Sequence, residues 1–400
     1  MSLLQGKNVV LCVSGGIAAY KAVEVARLLQ KAGATIKVAM TEAATKFVAP
    51  LTFQTLTHNP VALDMFQLLQ GMEIGHVSLA READVIVVAP ATANTIAKLT
   101  YGLADNMVTA TVLAATCPIV VAPAMNDQMW LNPITQANIA RLEERGFIIV
   151  PPEEGPLAEG RIGQGRLAAP SRIAGAARFA VSRRGPLTGK VVLVTAGATR
   201  ELIDPVRFIS NRSSGKMGYA IAQAALDLGA EVELVTAPTQ LEPPFGTAVT
   251  QVTTAEEMRQ VVLGLSDKVD ALIMAAAVAD YRVEMPAAQK IKKSGAHWVL
   301  TLAQNPDIVA EVGMARPAKL RALVGFAAET ENLIENARLK LRTKGLDIIV
   351  ANDIVASDSG FEVDTNRVTF IDINGGVEQL PLMRKEEVAQ RLMARVIELL

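Results

Sequence analysis

The 400-residue sequence predicts an α/β protein of two modules, each with a mainly parallel sheet flanked by helices. Half of the residues are hydrophobic but only 4% are aromatic, which is typical of buried parallel strands made of Val, Ile, Leu and Ala. Apolar β-branched runs alternate with helical patterns along most of the chain. The length fits two or three domains, at roughly 100–200 residues per domain.

Each module opens with an apolar run that breaks into small residues and glycine. Residues 8–22 read NVVLCVSGGIAAYKA, and residues 190–199 read KVVLVTAGAT. Small residues at a strand end let backbone N–H groups approach a phosphate, and a helix N-terminus favours negative charge. Because different sequences follow the two openings, they indicate two Rossmann-like modules with separate ligands.

The first module, predicted at residues 1–187, alternates strands and helices, which implies right-handed crossovers between parallel strands. The predicted strands are Asn8–Val13, Thr35–Met40, Val85–Ala89, Pro118–Ala122 and Phe147–Val150. Helical patterns lie between them, for example at Ala18–Gln30 and Pro133–Arg145. Residues 151–170 are instead rich in Gly and Pro and lack periodicity, which predicts a functional flap.

The second module, predicted at residues 188–400, repeats this alternation. The predicted strands are Val191–Thr195, Glu231–Val235, Ala271–Ala275, Ala322–Phe326 and Asp347–Val350. The predicted helices are Lys216–Leu228, Ala255–Leu265, Leu333–Lys344 and Lys385–Leu399.

Charge and composition limit the classes of partner. A formal net charge of −1 gives no electrostatic basis for nucleic acid or a membrane as the main partner. Cys12 and Cys117 are too few for a disulfide scaffold or a thiolate metal site. No uncharged apolar run reaches the ~20 residues that span a bilayer, and the N-terminal segment lacks the order of a signal peptide. We therefore expect a cytoplasmic protein.

Polar clusters follow the predicted strands of the first module, at the edge where open α/β sheets bind ligands. They are Ser14-Gly15-Gly16, Thr41, residues 90–107 (PATANTIAKLTYGLADNM) and residues 123–130 (PAMNDQMW). His76 precedes the third predicted strand. A single histidine is more often a core or surface residue than a catalyst, so the surrounding motifs must support a role for it.

These motifs resemble the flavin-containing cysteine decarboxylase family. The matching segments are SGGIAAYKA, Gly75-His76, PATANTIAK with GLADNMVT, and PAMNDQMW. In that family FMN oxidises the cysteine thiol of the substrate to a thioaldehyde, after which CO2 leaves. The resemblance implies that His76 handles a proton and that the amide of Asn126 holds the substrate carboxylate. The FMN site that it implies consists of Ser14, Gly15, Gly16, Thr41, Ala91, Thr92, Asn94 and Thr109.

The flap departs from the family pattern at one position. Much of the family reads like Ala-Cys-Gly-Asp ahead of Gly-x-Gly-Arg, whereas residues 158–166 read AEGRIGQGR. Glu159 therefore replaces the cysteine that returns a proton. Burial would raise the pKa of Glu159 and suit it to donate a proton, whereas a close Arg161 would lower that pKa. The alternatives are a solvated Glu159 with another donor or water, and a module that binds FMN but turns over poorly. Neither Cys12 nor Cys117 is placed to substitute.

The second module carries a polar motif directly before a predicted helix. Residues 204–218 read DPVRFISNRSSGKMG. The structural alternative is a helix cap by Ser213 or Ser214 on a solvated turn, although a cap would not require so many donors. Residues 275–283 (AAAVADYRV) follow the third strand of this module, and KIKK (290–293) comes next.

This module resembles the phosphopantothenate–cysteine ligases, and NPDIV (305–309), GFAAET (325–330) and AND (351–353) complete the pattern. Bacterial ligases of this type use CTP to form an acyl-cytidylate with loss of pyrophosphate, and the amine of cysteine then attacks it. The resemblance implies that Lys290 stabilises phosphate charge and that Asn211 handles the acyl-cytidylate. The implied CTP site consists of Asp280, Pro306, Asp307, Ile308, Val309, Phe326, Lys340 and Lys344.

Two details of this implied CTP site follow from residue type and spacing. Lys340 and Lys344 are one helical turn apart, so they share a helix face and can meet one polyphosphate. Ala276 either permits close packing against a ligand or a strand, or is a plain core residue. Mg2+ would bridge the phosphates of CTP, because that ion usually binds through substrate phosphates; the sequence does not indicate its protein ligands.

Together the motifs are similar to those of the bifunctional phosphopantothenoylcysteine decarboxylase/phosphopantothenate–cysteine ligase family of coenzyme A synthesis. The resemblance implies that 4′-phosphopantothenate is joined to cysteine and that the product is decarboxylated to 4′-phosphopantetheine. It also implies a homo-oligomer, with a trimer-based flavin domain and a dimeric ligase domain. One alternative is an active ligase fused to a flavin-binding regulatory or scaffold module, which Glu159 motivates. Another is a different flavin-dependent peptide or prenyl enzyme, which the attached ligase module disfavours.

Overall fold

The computed structural model describes residues 3–66, 75–156, 160–292, 298–329, 332–353 and 363–400. The chain divides into two compact units, Met1–Ser182 (unit 1) and Arg183–Leu400 (unit 2). The assignment of one activity to residues 1–187 and the other to residues 188–400 stays a prediction. No helix in the described ranges is long and apolar enough to cross a membrane.

Unit 1 contains strands and helices in alternation, as predicted. Its strands are β1 (Asn8–Val13), β2 (Thr35–Met40), β3 (Val61–Ala62), β4 (Val85–Ala91), β5 (Ile119–Pro123), β6 (Ile148–Ile149), β7 (Glu153–Pro156) and β8 (Ile162–Arg166). Its helices are α1 (Lys21–Lys31), α2 (Glu42–Thr45), α3 (Pro50–Thr57), α4 (Gly75–Glu82), α5 (Ala93–Tyr101), α6 (Met107–Leu113), α7 (Asp127–Leu131), α8 (Pro133–Glu144) and α9 (Pro170–Ser182). The predicted helix Ala18–Gln30 begins as a 3-10 turn, Ile17–Tyr20, and continues as α1.

The main sheet of unit 1 has the strand order β3-β2-β1-β4-β5-β6, and each neighbouring pair is parallel. The strand order reverses at β1, which lies between β2 and β4. In open parallel sheets such a reversal leaves a crevice outside the carboxyl ends of the two central strands. The loops after β1 and β4 therefore meet at this crevice, and they carry the predicted FMN residues Ser14, Gly15, Gly16 and Thr92. Of the other predicted residues, Thr41 follows β2 and Thr109 lies in α6.

The predicted flap contains an antiparallel hairpin, β7 with β8, in which Glu154 lies opposite Gln164. Exposure alternates along both strands, but glycines occupy several of the positions and carry no hydropathy signal. The sequence therefore showed no periodicity where a hairpin forms. Residues 157–159, including Glu159, lie outside the described residues.

Unit 2 has a larger set of strands than the sequence predicted. They are β9 (Val191–Ala196), β10 (Arg200–Leu202), β11 (Phe208–Ser210), β12 (Glu231–Thr236), β13 (Thr247–Gln251), β14 (Ala271–Met274), β15 (Tyr281–Val283), β16 (Leu302–Gln304), β17 (Ala322–Glu329), β18 (Ile348–Asp353), β19 (Thr365–Asn366), β20 (Val368–Asp372), β21 (Val377–Gln379) and β22 (Met383–Arg384). Its helices are α10 (Lys216–Asp227), α11 (Ala255–Leu265), α12 (Ile308–Ala315), α13 (Leu333–Thr343) and α14 (Lys385–Ile397).

The main sheet of unit 2 has the order β13-β12-β9-β14-β17-β18-β20-β21. Its first six strands are parallel, and β20 and β21 add an antiparallel edge. The strand order reverses at β9, so a second crevice lies at the carboxyl ends of β9 and β14. The mainly parallel α/β class is confirmed for both units.

Buried side chains from the central strands form the core of unit 2. Leu193 of β9, Leu272 of β14 and Leu323 of β17 are fully buried in one cluster. Helix α10 packs closely against β9, because Gly218 has no side chain: a Cβ there would lie 2.6 Å from Ala196 Cβ and 2.8 Å from Thr195 O. This close approach brings the start of α10 to the crevice.

Replacing Gly218 with Ala will destabilise unit 2, because the new methyl group must displace the β9 backbone. We expect a loss of about 1–3 kcal/mol, the usual cost of overpacking a core. Gly264→Ala, in the helix α11, is the matched control: a Cβ there meets nothing within 4 Å. That substitution will stabilise the protein by about 0.4–1 kcal/mol. Scanning calorimetry of the full chain measures both, and equal shifts in unfolding temperature would contradict the packing argument.

Candidate active sites

Ser14 joins the two central loops of unit 1. Its hydroxyl donates a hydrogen bond to Pro90 O (2.7 Å) and accepts one from Thr92 N (3.0 Å), and its side chain is almost fully buried. The predicted FMN residue Ala91 lies between these partners and is also buried. The carboxyl ends of β1 and β4 are thus held together by a side chain from the first glycine motif.

The two glycines after Ser14 have different structural roles. A Cβ at Gly15 would lie 2.4 Å from Ala43 Cβ, so glycine is required there for packing against α2. A Cβ at Gly16 would meet only Thr92 Cγ2, at 3.6 Å. Gly16 precedes the 3-10 turn and leaves its backbone open to close approach. Gly16 is therefore the glycine suited to a ligand phosphate.

Three of the remaining predicted FMN residues belong to helix caps or first turns. Thr41 caps α2 by accepting a hydrogen bond from Ala44 N (3.2 Å), and Thr92 caps α5 by accepting one from Thr95 N (3.3 Å). Asn94 is exposed in the first turn of α5. A helix N-terminus leaves N–H groups without partners in the helix, and such groups can meet an anion.

Thr109 is placed differently from the other predicted FMN residues. It lies in α6, is 2% exposed, and its hydroxyl donates to Asn106 O (3.3 Å) within its own helix. The Thr109 hydroxyl is thus engaged in a hydrogen bond within its own helix segment. A role for Thr109 in binding FMN stays a prediction.

His76 has an unsatisfied nitrogen in the described part of the chain. It lies in the first turn of α4, and its Nδ1 is buried without a hydrogen-bond partner. Buried polar atoms are normally paired, so an orphaned ring nitrogen is consistent with a ligand or substrate partner. This is the observation in the structure that fits a catalytic histidine.

Asn126 caps α7 with its side-chain oxygen, which accepts a hydrogen bond from Gln128 N (2.9 Å). The cap fixes the orientation of the amide. The donor end, Nδ2, is then the atom suited to a carboxylate.

The flap hairpin is docked on the loop that carries Asn126. Met125 N donates a hydrogen bond to Gly165 O (3.0 Å), and a Cβ at Gly165 would lie 2.2 Å from Met125 O. A Cβ at Gly163 would lie 2.9 Å from Asp127 Cβ. Gly165 therefore permits a backbone-to-backbone contact, and Gly163 leaves room for the Asp127 side chain. Both contacts position the hairpin beside Asn126.

Unit 2 contains a cavity of about 640 Å³ at the carboxyl ends of β14 and β17. Apart from Lys290, every residue predicted for the ligase lines it. These residues are Asn211, Ala276, Asp280, Pro306, Asp307, Ile308, Val309, Phe326, Lys340 and Lys344. Their positions in the sequence span five separate segments, which the strand order brings to one site.

The loops around this cavity are joined by hydrogen bonds. Ala276 N donates to Thr195 Oγ1 (3.1 Å), and Asn211 Nδ2 donates to Val278 O (3.0 Å). Ala276 is therefore not a plain core residue. It lines the cavity, and its backbone N–H is hydrogen-bonded to Thr195 of β9. Gly197, the glycine of the second opening, instead packs on Ala237, whose oxygen a Cβ would approach to 2.6 Å.

The alternative of a serine cap on α10 is wrong. The N-cap is Gly215, with φ 78°, and no side chain caps the helix. Ser213 Oγ instead accepts a hydrogen bond from Gly215 N (3.2 Å). The left-handed backbone at Gly215 reverses the chain before the helix, a conformation that serine disfavours.

Lys340 and Lys344 both line the cavity, as their spacing predicted. Lys344 Nζ is 2.8 Å from Asp307 Oδ2, and Asp307 Oδ1 caps α12 by accepting from Ala310 N (3.1 Å). Lys344 is thus held by an acidic neighbour at the cavity wall.

Lys290 is not brought to the cavity lining. It is exposed on the segment that follows β15, and Lys293 of the same motif lies outside the described residues. Its predicted role in stabilising phosphate charge stays a prediction.

The sequence reasoning missed a second group of cations at the cavity. Lys216 and Lys385 are the first residues of α10 and α14, where a helix N-terminus disfavours positive charge. Lys385 is 4% exposed and its Nζ donates to Val363 O (2.6 Å). Burial and the nearby Lys216 lower the pKa of Lys385. Lys216 pairs with Asp364 at 2.6 Å.

The positive charge of Lys216 and Lys385 would suit an anion in the cavity. Two lysines near two helix N-termini repel each other, and such violations of local rules are expected at functional sites. Asn352 Oδ1, also at the cavity, is buried and without a hydrogen-bond partner among the described residues. A lysine at the first residue of two predicted helices, Lys216–Leu228 and Lys385–Leu399, was the signal available in the sequence.

Comparison with known proteins gives full-length relatives. The "Flavoprotein" family model matches residues 2–177, and the model of the "DNA/pantothenate metabolism flavoprotein C-terminal domain" matches residues 187–400. The coenzyme A biosynthesis bifunctional protein CoaBC of Bacillus subtilis (strain 168) is 46% identical over 400 residues, covering 99% of this chain and 98% of the relative. The chain belongs to the CoaBC family. The CoaBC protein of Haemophilus influenzae is 44% identical over 395 residues, covering 99% of this chain and 98% of the relative.

A solved structure described as the C-terminal domain of CoaBC is 43% identical, covers 54% of this chain and 97% of that one, and has a TM-score of 0.46. Membership of the CoaBC family confirms the expected resemblance and a bifunctional enzyme of coenzyme A biosynthesis. The flavoprotein match to unit 1 supports a flavin. The unit 1 crevice fits one, since a Cβ at Gly16 would meet only Thr92 Cγ2, at 3.6 Å, and Thr41 and Thr92 cap the helices that follow β2 and β4.

Replacing Gly165 with Ala will undock the flap, because a Cβ cannot lie 2.2 Å from Met125 O. Trypsin will then cut at Arg161 and Arg166 faster, by about 5–150-fold for a cost of about 1–3 kcal/mol. Gly155→Ala, on the partner strand, is the control: its Cβ would meet only the Arg166 side chain, at 3.4 Å. Limited proteolysis of the full chain measures both, and equal cleavage rates would refute the docked contact.

Proposed function

We propose that unit 2 joins 4′-phosphopantothenate to cysteine with CTP. The observation that carries this proposal is the single cavity that gathers the motif residues from five segments, with Lys216 and Lys385 added to its wall. The cavity combines lysines for a polyphosphate with Phe326, an aromatic wall on which a pyrimidine can stack.

The cavity residues would act in two stages. In the first, a carboxylate oxygen of phosphopantothenate attacks the α-phosphorus of CTP, and pyrophosphate leaves. Lys340 and Lys344 would hold CTP, and Lys290 would stabilise charge that develops on the phosphates. In the second, the amine of cysteine attacks the acyl carbon, CMP leaves, and the amine loses its proton. Asn211, whose amide is bound to Val278 O, would orient the acyl group during this exchange.

Mg2+ belongs to the proposal on chemical grounds, since it usually binds through substrate phosphates. The described residues include no group of three or more His, Cys, Asp or Glu side chains placed to hold a metal ion. We propose no protein ligands for it.

We further propose that unit 1 decarboxylates 4′-phosphopantothenoylcysteine. Bound FMN would supply the two-electron oxidation of the substrate thiol, and the crevice at Ser14, Gly16 and Thr92 would hold it. Asn126 Nδ2 would donate to the substrate carboxylate and fix its orientation for loss of CO2. His76 would take up or return a proton of the substrate at this stage, because its ring is half-buried and its Nδ1 is without a partner in the described ranges.

The final proton donor is Glu159 in this proposal. The basis for this role is its position in the flap motif, where Glu159 replaces the family cysteine that returns a proton. The alternative of a decarboxylation-impaired scaffold gains no support from the CoaBC relatives. By the family resemblance we also propose a homo-oligomer with trimeric flavin domains and dimeric ligase domains.

The ligase reaction predicts a specific CTP-dependent product. Full-length protein given phosphopantothenate, CTP and Mg2+ will release pyrophosphate, and cysteine will allow repeated turnover. Lys340→Met will raise the KM for CTP by about 10–100-fold, because it removes a charge-assisted contact of about 1.5–3 kcal/mol. Lys319→Met is the control, since Lys319 bonds Lys268 O outside the cavity. If folded, flavin-containing protein releases no pyrophosphate under these conditions, the ligase proposal is wrong.

The decarboxylase reaction predicts CO2 from 4′-phosphopantothenoylcysteine supplied directly. His76→Asn will lower kcat by about 10²–10⁴-fold, the usual contribution of a general acid or base. His58→Asn is the control, because His58 is exposed with φ 55°, which Asn tolerates.

Two flap variants test the proton donor in the same assay. Glu159→Gln will slow product formation, and Glu159→Cys will retain it. An unchanged rate for Glu159→Gln excludes Glu159 as the donor. A yellow wild-type protein that releases no CO2 would instead support the scaffold alternative.

A further inference from the structure

A buried carboxylate lies outside the cavity lining, close to the Lys290 segment. Asp204 is 1% exposed, and its Oδ1 accepts hydrogen bonds from Val206 N (2.8 Å) and Arg207 N (2.9 Å). Its Oδ2 accepts from Arg207 Nε (3.0 Å) and Nη2 (2.5 Å). Both oxygens therefore accept two hydrogen bonds each from donors of the same tight turn.

The same carboxylate also reaches across to the residue after Lys290. Ile291 N donates to Asp204 Oδ2 (3.1 Å), and Arg207 Nη2 donates to Ile291 O (2.7 Å). Both backbone polar groups of Ile291 are thus held by one ion pair. Ala287 N donates to Ile203 O (2.9 Å), which adds a second anchor on the same turn.

Arg207 contacts the far side of this segment as well. Its guanidinium carbon lies 4.7 Å from the centre of the Trp298 ring, a cation–π distance. The described residues on either side of 293–297 are therefore both attached to Arg207. The ion pair sets where the Lys290 segment leaves the body of unit 2.

The ion pair is charged in the folded protein. Burial by itself would raise the pKa of Asp204, but hydrogen bonds from Arg207 and from the backbone of Val206, Ile291 and Arg207 outweigh it. The pKa of Asp204 is held well below its usual range. An amide at this position cannot reproduce the arrangement, because its NH2 would face donors.

We propose that Asp204 is a positioning residue for Lys290 in the activation of the phosphopantothenate carboxylate. This rests on the proposed ligase function and on the proposed role of Lys290 within it. Lys290 is exposed and adjacent to Ile291, so the clamp on the Ile291 peptide limits where its ammonium group can reach. Asp204 acts through Arg207 and Ile291 and touches no substrate.

The test compares activation with nucleotide binding in the full chain. Asp204→Asn will slow pyrophosphate release in the absence of cysteine by about 10–100-fold, as expected for a misplacement of about 1 Å. The dissociation constant for CTP, measured calorimetrically, will stay within about twofold, since the cavity lining remains intact. Rates are expressed per CTP-binding site, so that unfolded molecules do not contribute.

Non-additivity separates positioning from general destabilisation. In the Lys290→Ala background, Asp204→Asn will cause no further loss, because its effect passes through Lys290. Arg207→Lys, which keeps the charge but not the two-sided contact, will reproduce the slow activation if Asp204→Asn does not fold.

Asp270→Asn is the matched control. Asp270 is also a buried carboxylate that accepts from a backbone N–H, Val191 N at 2.9 Å. Among the described residues, its ion pairs are with Lys190 and Lys319 and not with the Lys290 segment. Asp270→Asn will lower the free energy of unfolding and leave the rate of pyrophosphate release per CTP-binding site unchanged. The positioning role is wrong if Asp204→Asn and Lys290→Ala lower the rate of pyrophosphate release additively. It is also wrong if Asp270→Asn slows pyrophosphate release as much as Asp204→Asn does. If Lys290→Ala releases pyrophosphate at the wild-type rate, the proposed role of Lys290 is wrong. The ligase proposal would still hold in that case, provided that the wild-type protein releases pyrophosphate.

Discussion

The hydrogen bonds between the carboxyl ends of β9 and β14 are the constraint on which the unit 2 site depends. Thr195 Oγ1 accepts from Ala276 N (3.1 Å), and Thr199 Oγ1 accepts from Ala279 N (2.9 Å). Parallel strands place their following loops side by side, and these buried hydroxyls then fix the loop after β14. Because that loop is fixed, Asn211 can bond to Val278 O and the wall of the cavity is complete.

Unit 1 meets the same constraint with different residues. Ser14 joins the ends of β1 and β4, as the two threonines join β9 and β14 in unit 2. The two crevices nevertheless differ in charge. The first offers hydroxyls, glycine backbone and helix caps, whereas lysines line the second. The shared strand order therefore explains where ligands bind, and the side chains explain which ligands are suited to each unit.

Sequence patterns located the elements best where strands are buried on both faces. The bounds of β1, β2 and α11 agree with the prediction, because continuous β-branched runs and strict helical periodicity leave little ambiguity. The flap hairpin was missed because Gly163 and Gly165 hide its alternation. The alternative of a serine cap on α10 is excluded because Gly215 is the N-cap and adopts a left-handed backbone, which the polar motif around it did not reveal.

The sequence by itself determined the α/β class, the CoaBC family and ten of the residues that line the unit 2 cavity, because strand periodicity and strand-end motifs are local properties. The tertiary structure decided which distant residues meet. Lys216 and Lys385 share one cavity, and Asp204 binds the backbone of Ile291, 87 residues away. Such contacts depend on strand order and on loop conformation, and neither is encoded in local hydropathy. The same reason explains why Lys290 was identified from its motif, whereas the ion pair that holds its neighbour emerged only from the fold.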